Sequence, residues 1–206
     1  MLIQGLLMLD HEANAHVQAR AFQIQKEGNS FNGDSFFMKA TDEYFICSVA
    51  DGLGSGLYAN QSSDAVRKVI EEHHQEEVEV LMDYCNQAMK LKRGATVSVL
   101  KAHFQRKEVT YCSVGNIQFV FYLPSGLYIY PIPVTGFLSG KPQTYRIETF
   151  PYEENSKFMM HTDGLHLPSI KQELTRFQSI DDMSNHLKLH MTKRKDDATF
   201  LVGQLF

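Results

Sequence analysis

The chain has no tryptophan, and only three cysteines and six prolines in 206 residues. Cys47, Cys85 and Cys112 are odd in number, widely spaced and each set in an apolar segment. That pattern excludes a disulfide framework and reads as buried, reduced thiols in a cytoplasmic protein. No apolar run reaches the roughly 18 residues that a membrane-spanning helix needs. The apolar start "MLIQGLLML" lacks the basic flank and small-residue cleavage site of a secretion signal, and Asp10, His11 and Glu12 follow it at once. It is expected to be a strand or a packed terminal segment. An excess of charge is missing too: the formal net charge of −4 gives no electrostatic reason to expect nucleic acid or an anionic membrane as a partner.

Several familiar catalytic signatures are absent. "GLGSG" at Gly52 to Gly56 suggests a nucleotide-binding loop, but the dinucleotide fingerprint needs glycine where Leu57 stands, and no Gly-Lys-Ser/Thr follows any glycine loop. His11-Glu12 with His16 misses the zinc pair H-E-x-x-H by one residue, and histidines five apart on a helix point roughly 140° away from each other. None of the cysteines has an arginine six residues on, there is no Asp-x-Asp pair, and there is no G-x-S-x-G elbow. A covalent nucleophile of a familiar kind is therefore excluded.

What is present is an ordinary globular composition, 43% hydrophobic and 21% charged, consistent with one domain spanning residues 1–206. Strands are expected at Val17 to Gln25, Ser35 to Ala40 and Tyr44 to Ala50. Helical spacing follows, with Ala65, Val66, Val69, Ile70 and His73 on one face, and Val78, Leu81, Met82, Cys85 and Met89 on another. From Gly94 the period shortens: "ATVSVLKAH", "VTYCSV", "IQFVFYL", "GLYIYPI", "TYRIETF" and "KFMMHT" read as the strands of an antiparallel meander. A third helix is expected over Asp181 to Lys193 with Ser179 as its cap, before a last strand "ATFLVGQLF". Helices grouped among many short strands predict an α+β fold with two antiparallel sheets packed as a sandwich and flanked by helices.

The chemistry points to aspartates. "SVADGLGSG" has a partial echo in "MHTDGLH", so Asp51 and Asp163 each follow an apolar strand, and neither is followed by the return strand of an Asp-Gly hairpin. Asp34 precedes another strand and Asp196-Asp197 precede the last. Carboxylates gathered at one end of a sandwich repel one another unless hard cations separate them. All-oxygen ligands favour Mg²⁺ or Mn²⁺ over zinc. The competing reading, surface aspartates at turns, has equal standing on spacing alone.

The ordered set Gly33-Asp34, Asp51-Gly52, "RGATVSVL", "VGNIQFVFY", "TDGL" and "DDATF" resembles the PPM (type 2C) metal-dependent Ser/Thr protein phosphatases over nearly the whole chain. The resemblance implies hydrolysis of phosphoserine and phosphothreonine on proteins with two bound Mn²⁺ (or Mg²⁺) ions. Carried over, Asp51 would bridge the ions and the Gly52 carbonyl would bind one of them. Asp163 and Asp196 would hold the other, Asp34 would bind an ion or its water, and Asp197 would lie behind them. Three departures stand out: Gly33 replaces an acid, Leu53 replaces a histidine proposed as proton donor, and Asn29 to Asn32 contain no phosphate-clamping arginine. His161 is a weaker proton-donor candidate, on the expectation that it shares a strand face with Asp163; a packed core histidine is the favoured reading of it. A narrower likeness, to a small stand-alone bacillary member of the family, implies phosphorylated stressosome proteins as substrates, with negative feedback on the general stress sigma factor. A monomer is expected. The alternative is a catalytically silent phosphatase-like module that binds a partner.

Overall fold

The computed structural model describes residues 7–191 and 195–206, so the first six residues of the apolar start and Thr192-Lys193 of the third expected helix lie outside it. The strands are β1 Leu7–Ala13, β2 Val17–Ile24, β3 Asp34–Ala40, β4 Tyr44–Gly52, β5 Ala95–His103, β6 Glu108–Val114, β7 Gln118–Tyr122, β8 Tyr128–Ile129, β9 Glu148–Pro151, β10 Ser156–His161 and β11 Ala198–Leu205. The helices are α1 Leu57–His73, α2 Val78–Ala88, α3 Ile170–Arg176 and α4 Ile180–His190. One sheet runs β1-β2-β11-β10-β7-β8 and the other β3-β4-β5-β6-β9, and all the strand pairings within them are antiparallel.

The strands after Gly94 do not form a simple meander. They alternate between sheets: β5 and β6 lie in one, β7 and β8 in the other, β9 returns and β10 crosses again. The reason is visible in the side chains, because both faces of each sheet are covered. In β4, Phe45, Cys47 and Val49 enter the core between the sheets, while Tyr44, Ile46 and Ala50 pack with Val66, Ile70, Leu81 and Met82 of α1 and α2. In β11, Leu201 and Leu205 enter the inter-sheet core, while Phe200 and Val202 pack with Leu174, Met183 and Leu187 of α3 and α4. Two-sided burial explains the unbroken apolar run "YFICSVA", which carries no polar alternation. The architecture is the expected sandwich of two antiparallel sheets between helices. Cys47, Cys85 and Cys112 are buried free thiols, and burial pushes the Cys112 thiol up to about 12.

The Ser179 hydroxyl caps α4, accepting hydrogen bonds from the backbone N–H groups of Asp181 and Asp182. The seven-residue helix α3 was not expected from "LPSIKQ"; it starts on a Ser169 cap and buries Leu174. Among the described residues no helix is long and apolar enough to cross a membrane.

Lys101 in β5 is buried at 1% exposure. Its ammonium donates to the carbonyls of Gln75 (2.8 Å) and Glu76 (2.7 Å) in the turn between α1 and α2, and lies 4.4 Å from the Tyr44 ring centroid. Lys101→Met leaves both carbonyls without that donor, so it is expected to lower stability by about 2–4 kcal/mol. Urea denaturation checks this, with metal-dependent properties of the distant acidic end as the internal control.

Candidate metal centre

Antiparallel pairing brings the acids to one end of the sandwich. Asp34 begins β3 and Asp51 lies near the end of β4, directly opposite it in register. Asp163 follows β10, and Asp196-Asp197 precede β11, the antiparallel neighbour of β10. Together with Gly52, Leu53 and Gly54 these five aspartates line a cleft of about 200 Å³. A neighbouring pocket of about 480 Å³ shares Asp163 and Asp196 and adds Gly164, His166, His190 and Lys195. Asp34, Asp51, Gly52, Asp163, Asp196 and Asp197 are therefore in one place.

Their surroundings divide them. Asp34 is 4% exposed, and its Oδ2 accepts a hydrogen bond from the Thr162 hydroxyl at 2.7 Å. That hydroxyl in turn accepts from the Thr199 N–H at 3.0 Å, which aims its proton at Asp34, and the Thr162–Asp34 bond ties the two sheets together. Asp163 Oδ2 accepts from the Asn116 amide at 3.0 Å. Asp197 has both oxygens engaged by backbone donors, the N–H of Lys26 and the N–H of Gly33, each at 2.8 Å. It holds the loop before β3 against the loop before β11.

Burial raises the Asp34 carboxyl well above the ordinary carboxylate range, with the Asp51 charge adding to the effect and hydrogen bonds from Thr162 and Thr199 opposing it. Burial, followed by the charges of Asp163, Asp196 and Asp197, lifts Asp51 to about 7. The one described cation paired with this group is Lys26, whose ammonium lies 3.4 Å from Asp196. Asp34 and Asp197 are buried, Asp51 is half-buried, and Asp163 and Asp196 are exposed at the mouth; together they form a donor set suited to hard cations, with all-oxygen ligands, several acids and a partly enclosed space.

The glycines serve the geometry. A Cβ on Gly52 would stand 2.0 Å from the Ala59 carbonyl oxygen, so glycine lets α1 lie directly against the end of β4. That close approach of the helix requires glycine at position 52. Gly54 has φ +96°, and a Cβ there would meet the Arg93 guanidinium at 2.6 Å.

His161 corrects one expectation. β10 ends at His161, so Asp163 lies beyond the strand and the shared-face argument does not apply. The ring is 4% exposed, its Nδ1 lies 2.8 Å from the Thr162 carbonyl, and burial holds it below the usual imidazole range. It is a core histidine and does not line the cleft. Leu53 does line the cleft, and its N–H donates to the Gly94 carbonyl at 3.0 Å. Thr162, Asn116 and Arg93 stand in the stretches "TDGL", "VGNIQFVFY" and "RGATVSVL" but were given no role from the sequence. Their polar side chains beside strand ends were the available signal, but each acts on an element distant in the chain.

Two face-to-face antiparallel sheets between pairs of helices, with aspartates converging at one end, define the fold of the PPM metal-dependent phosphatases. The chain belongs to the Stage II sporulation protein E (SpoIIE) family, whose pattern matches residues 41–205. It is 52% identical over 198 residues to phosphoserine phosphatase RsbX of Bacillus subtilis (strain 168), covering 96% of this chain and 100% of that protein. A crystal structure of RsbX in complex with magnesium superposes with a TM-score of 0.93 at 52% identity, covering 97% of this chain and 100% of that one. The catalytic domain of the serine/threonine phosphatase PstP in complex with two manganese ions shares the fold, with a TM-score of 0.74 at 14% identity over 92% of this chain and 98% of that one.

Proposed function

We propose that this protein is a metal-dependent phosphoserine and phosphothreonine protein phosphatase, a cytoplasmic monomer of one domain. The observation that carries the reading is the convergence of Asp34, Asp51, Asp163 and Asp196 in one cleft, supported by the near-full-length likeness to a phosphoserine phosphatase. These four aspartates and the Gly52 carbonyl would hold two Mn²⁺ or Mg²⁺ ions. When bound, such ions neutralise the non-bridging phosphoryl oxygens and make a water acidic enough to attack phosphorus near neutral pH.

The chain's own residues prepare that chemistry. Burial first, and then the charges of three other carboxylates, raise the proton affinity of Asp51, so its charge depends on cation occupancy. Thr162 and Asn116 fix one oxygen each of Asp34 and Asp163, which leaves the remaining oxygens to face cations. Asp197 sets the distance between the two sheets at this end. With leucine at position 53, the proton for the leaving serine oxygen comes from water and not from an imidazole at that place.

The substrates proposed are phosphorylated stressosome proteins, as the narrower sequence likeness implies, and their dephosphorylation would turn down the general stress sigma-factor pathway. The ion proposed is Mn²⁺, or Mg²⁺ in its place. The protein incubated with a phosphoserine-bearing stressosome protein is expected to release inorganic phosphate. Excess chelator should stop release completely, and added Mn²⁺ should restore it. Binding of the phosphoprotein with no release under any divalent cation would instead identify a silent binding module.

A further inference from the structure

We infer that Arg93 grips the phosphoryl group of the substrate at the rim of the aspartate cleft. The inference rests on the phosphatase reading and adds the residue that receives the anion. Electrostatics requires such a group. Five aspartates line the cleft, so two divalent cations leave it with one net negative charge, while a phosphomonoester brings roughly −1.5 to −2. The cleft therefore needs a further cation to attract its substrate. Lys26 is already engaged with Asp196, and Lys195 lines the neighbouring pocket beside Asp163 and Asp196, not this cleft.

Arg93 is positioned for the task. Its guanidinium covers the backbone at Gly54, a residue of the cleft wall, so closely that a Cβ there would stand 2.6 Å from Nη1. Its Cζ lies 4.7 Å from the ring centroid of Tyr58, in the first turn of α1, and this stacking holds the plane of the guanidinium. The backbone beneath it is tied down, since Leu53 N–H donates to the carbonyl of Gly94, the next residue in the chain. Its charge is also unspent. Arg20, Arg67, Arg106 and Arg146 each face a carboxylate, whereas Arg93 has no carboxylate partner among the described residues. A planar, unpaired guanidinium over the wall of an anion-receiving cleft presents the fork that matches two phosphoryl oxygens.

The test uses inorganic phosphate as the probe and calorimetry as the readout, on full-length protein saturated with Mn²⁺. Arg93→Ala is expected to weaken phosphate binding by roughly tenfold to a hundredfold, and Arg93→Lys, which keeps the charge and loses the fork, should fall between the two. Mn²⁺ affinity, read from the metal-induced rise in melting temperature, should stay at the wild-type value in both variants. On a phosphoserine peptide KM should rise more than kcat falls. Unchanged phosphate affinity in Arg93→Ala, or a parallel loss of Mn²⁺ affinity, overturns the assignment, as does an absence of phosphate binding by the wild type. Because phosphate binding is measured without turnover, a protein that binds phosphate through Arg93 and yet hydrolyses no phosphoserine would refute the phosphatase reading alone.

Discussion

Asp51→Asn is expected to reduce phosphate release by about 10³-fold while making the metal-free protein more stable at neutral pH. The two effects have one origin. Asp51 sits opposite Asp34 in register and near Asp163, Asp196 and Asp197, and burial and these charges lift its carboxyl to about 7. An unfolded aspartate titrates near 3.9. Between those values the folded, metal-free protein holds more protons than the unfolded chain, so its stability falls as pH rises. The contribution is fully present below about pH 4 and is lost by the time pH has passed about 7. Asp34 shifts in the same direction, so part of the slope should survive the substitution. Asparagine keeps the shape and removes the charge, so it abolishes both the repulsion and the anionic ligand. Melting temperatures of chelated wild type and variant, measured from pH 4 to pH 8, should converge at the acid end and separate at the neutral end, with the variant higher. Addition of Mn²⁺ should reverse the order at pH 8. A variant that melts like wild type at pH 8 without metal would show that Asp51 does not carry the repulsive charge assigned to it.

The acidic end was legible in the sequence because it depends on strand ends, and strand ends are marked by the change from apolar runs to Asp-Gly pairs. The antiparallel partnership of β3 and β4 then follows from their short separation, and it places Asp34 across from Asp51. What could not be read is what crosses between the sheets. Thr162 reaches Asp34 over a separation of 128 residues, and Gly33 reaches Asp197 over 164. No local pattern encodes contacts of that range. The helices show a second limit. The apolar spacing revealed α1 only from Ala65, although it starts at Leu57, because its first two turns bury the small residues Ala59, Ser62 and Ser63. A helix that must lie close to a strand presents small side chains, and these leave no hydrophobic period to detect. "GLYIYPI" erred the other way: its β-favouring residues suggested a full strand, but only Tyr128–Ile129 pair, and Pro131 and Pro133 lack the N–H groups to extend the ladder.

That close approach of α1 makes Gly52→Ala the second substitution with a large expected effect. The added methyl would stand 2.0 Å from the carbonyl oxygen of Ala59, 2.6 Å from its carbonyl carbon and 2.8 Å from its Cα. All three are backbone atoms of a helix, so no side-chain rotation relieves the clash. The strand cannot yield easily either, since Gly52 pairs with Ala95 on one side and donates its N–H to the Gly33 carbonyl at 3.0 Å on the other. Either α1 moves away from β4, uncovering the contact that Ser35 makes with the Ser63 carbonyl at 2.6 Å, or the end of β4 shifts and carries Asp51 with it. Overpacking of this kind costs about 1–3 kcal/mol or more, and a displacement of about 1 Å in a catalytic constellation costs on the order of 10²-fold in rate. The expected result is therefore a folded protein with a lower urea midpoint, weaker Mn²⁺ binding and phosphate release down by about 10²-fold. The joint loss distinguishes it from Asp51→Asn, which should raise metal-free stability at neutral pH. Retention of wild-type stability and Mn²⁺ affinity in Gly52→Ala would mean that α1 is not seated on the end of β4, and the explanation of this glycine would fail with it.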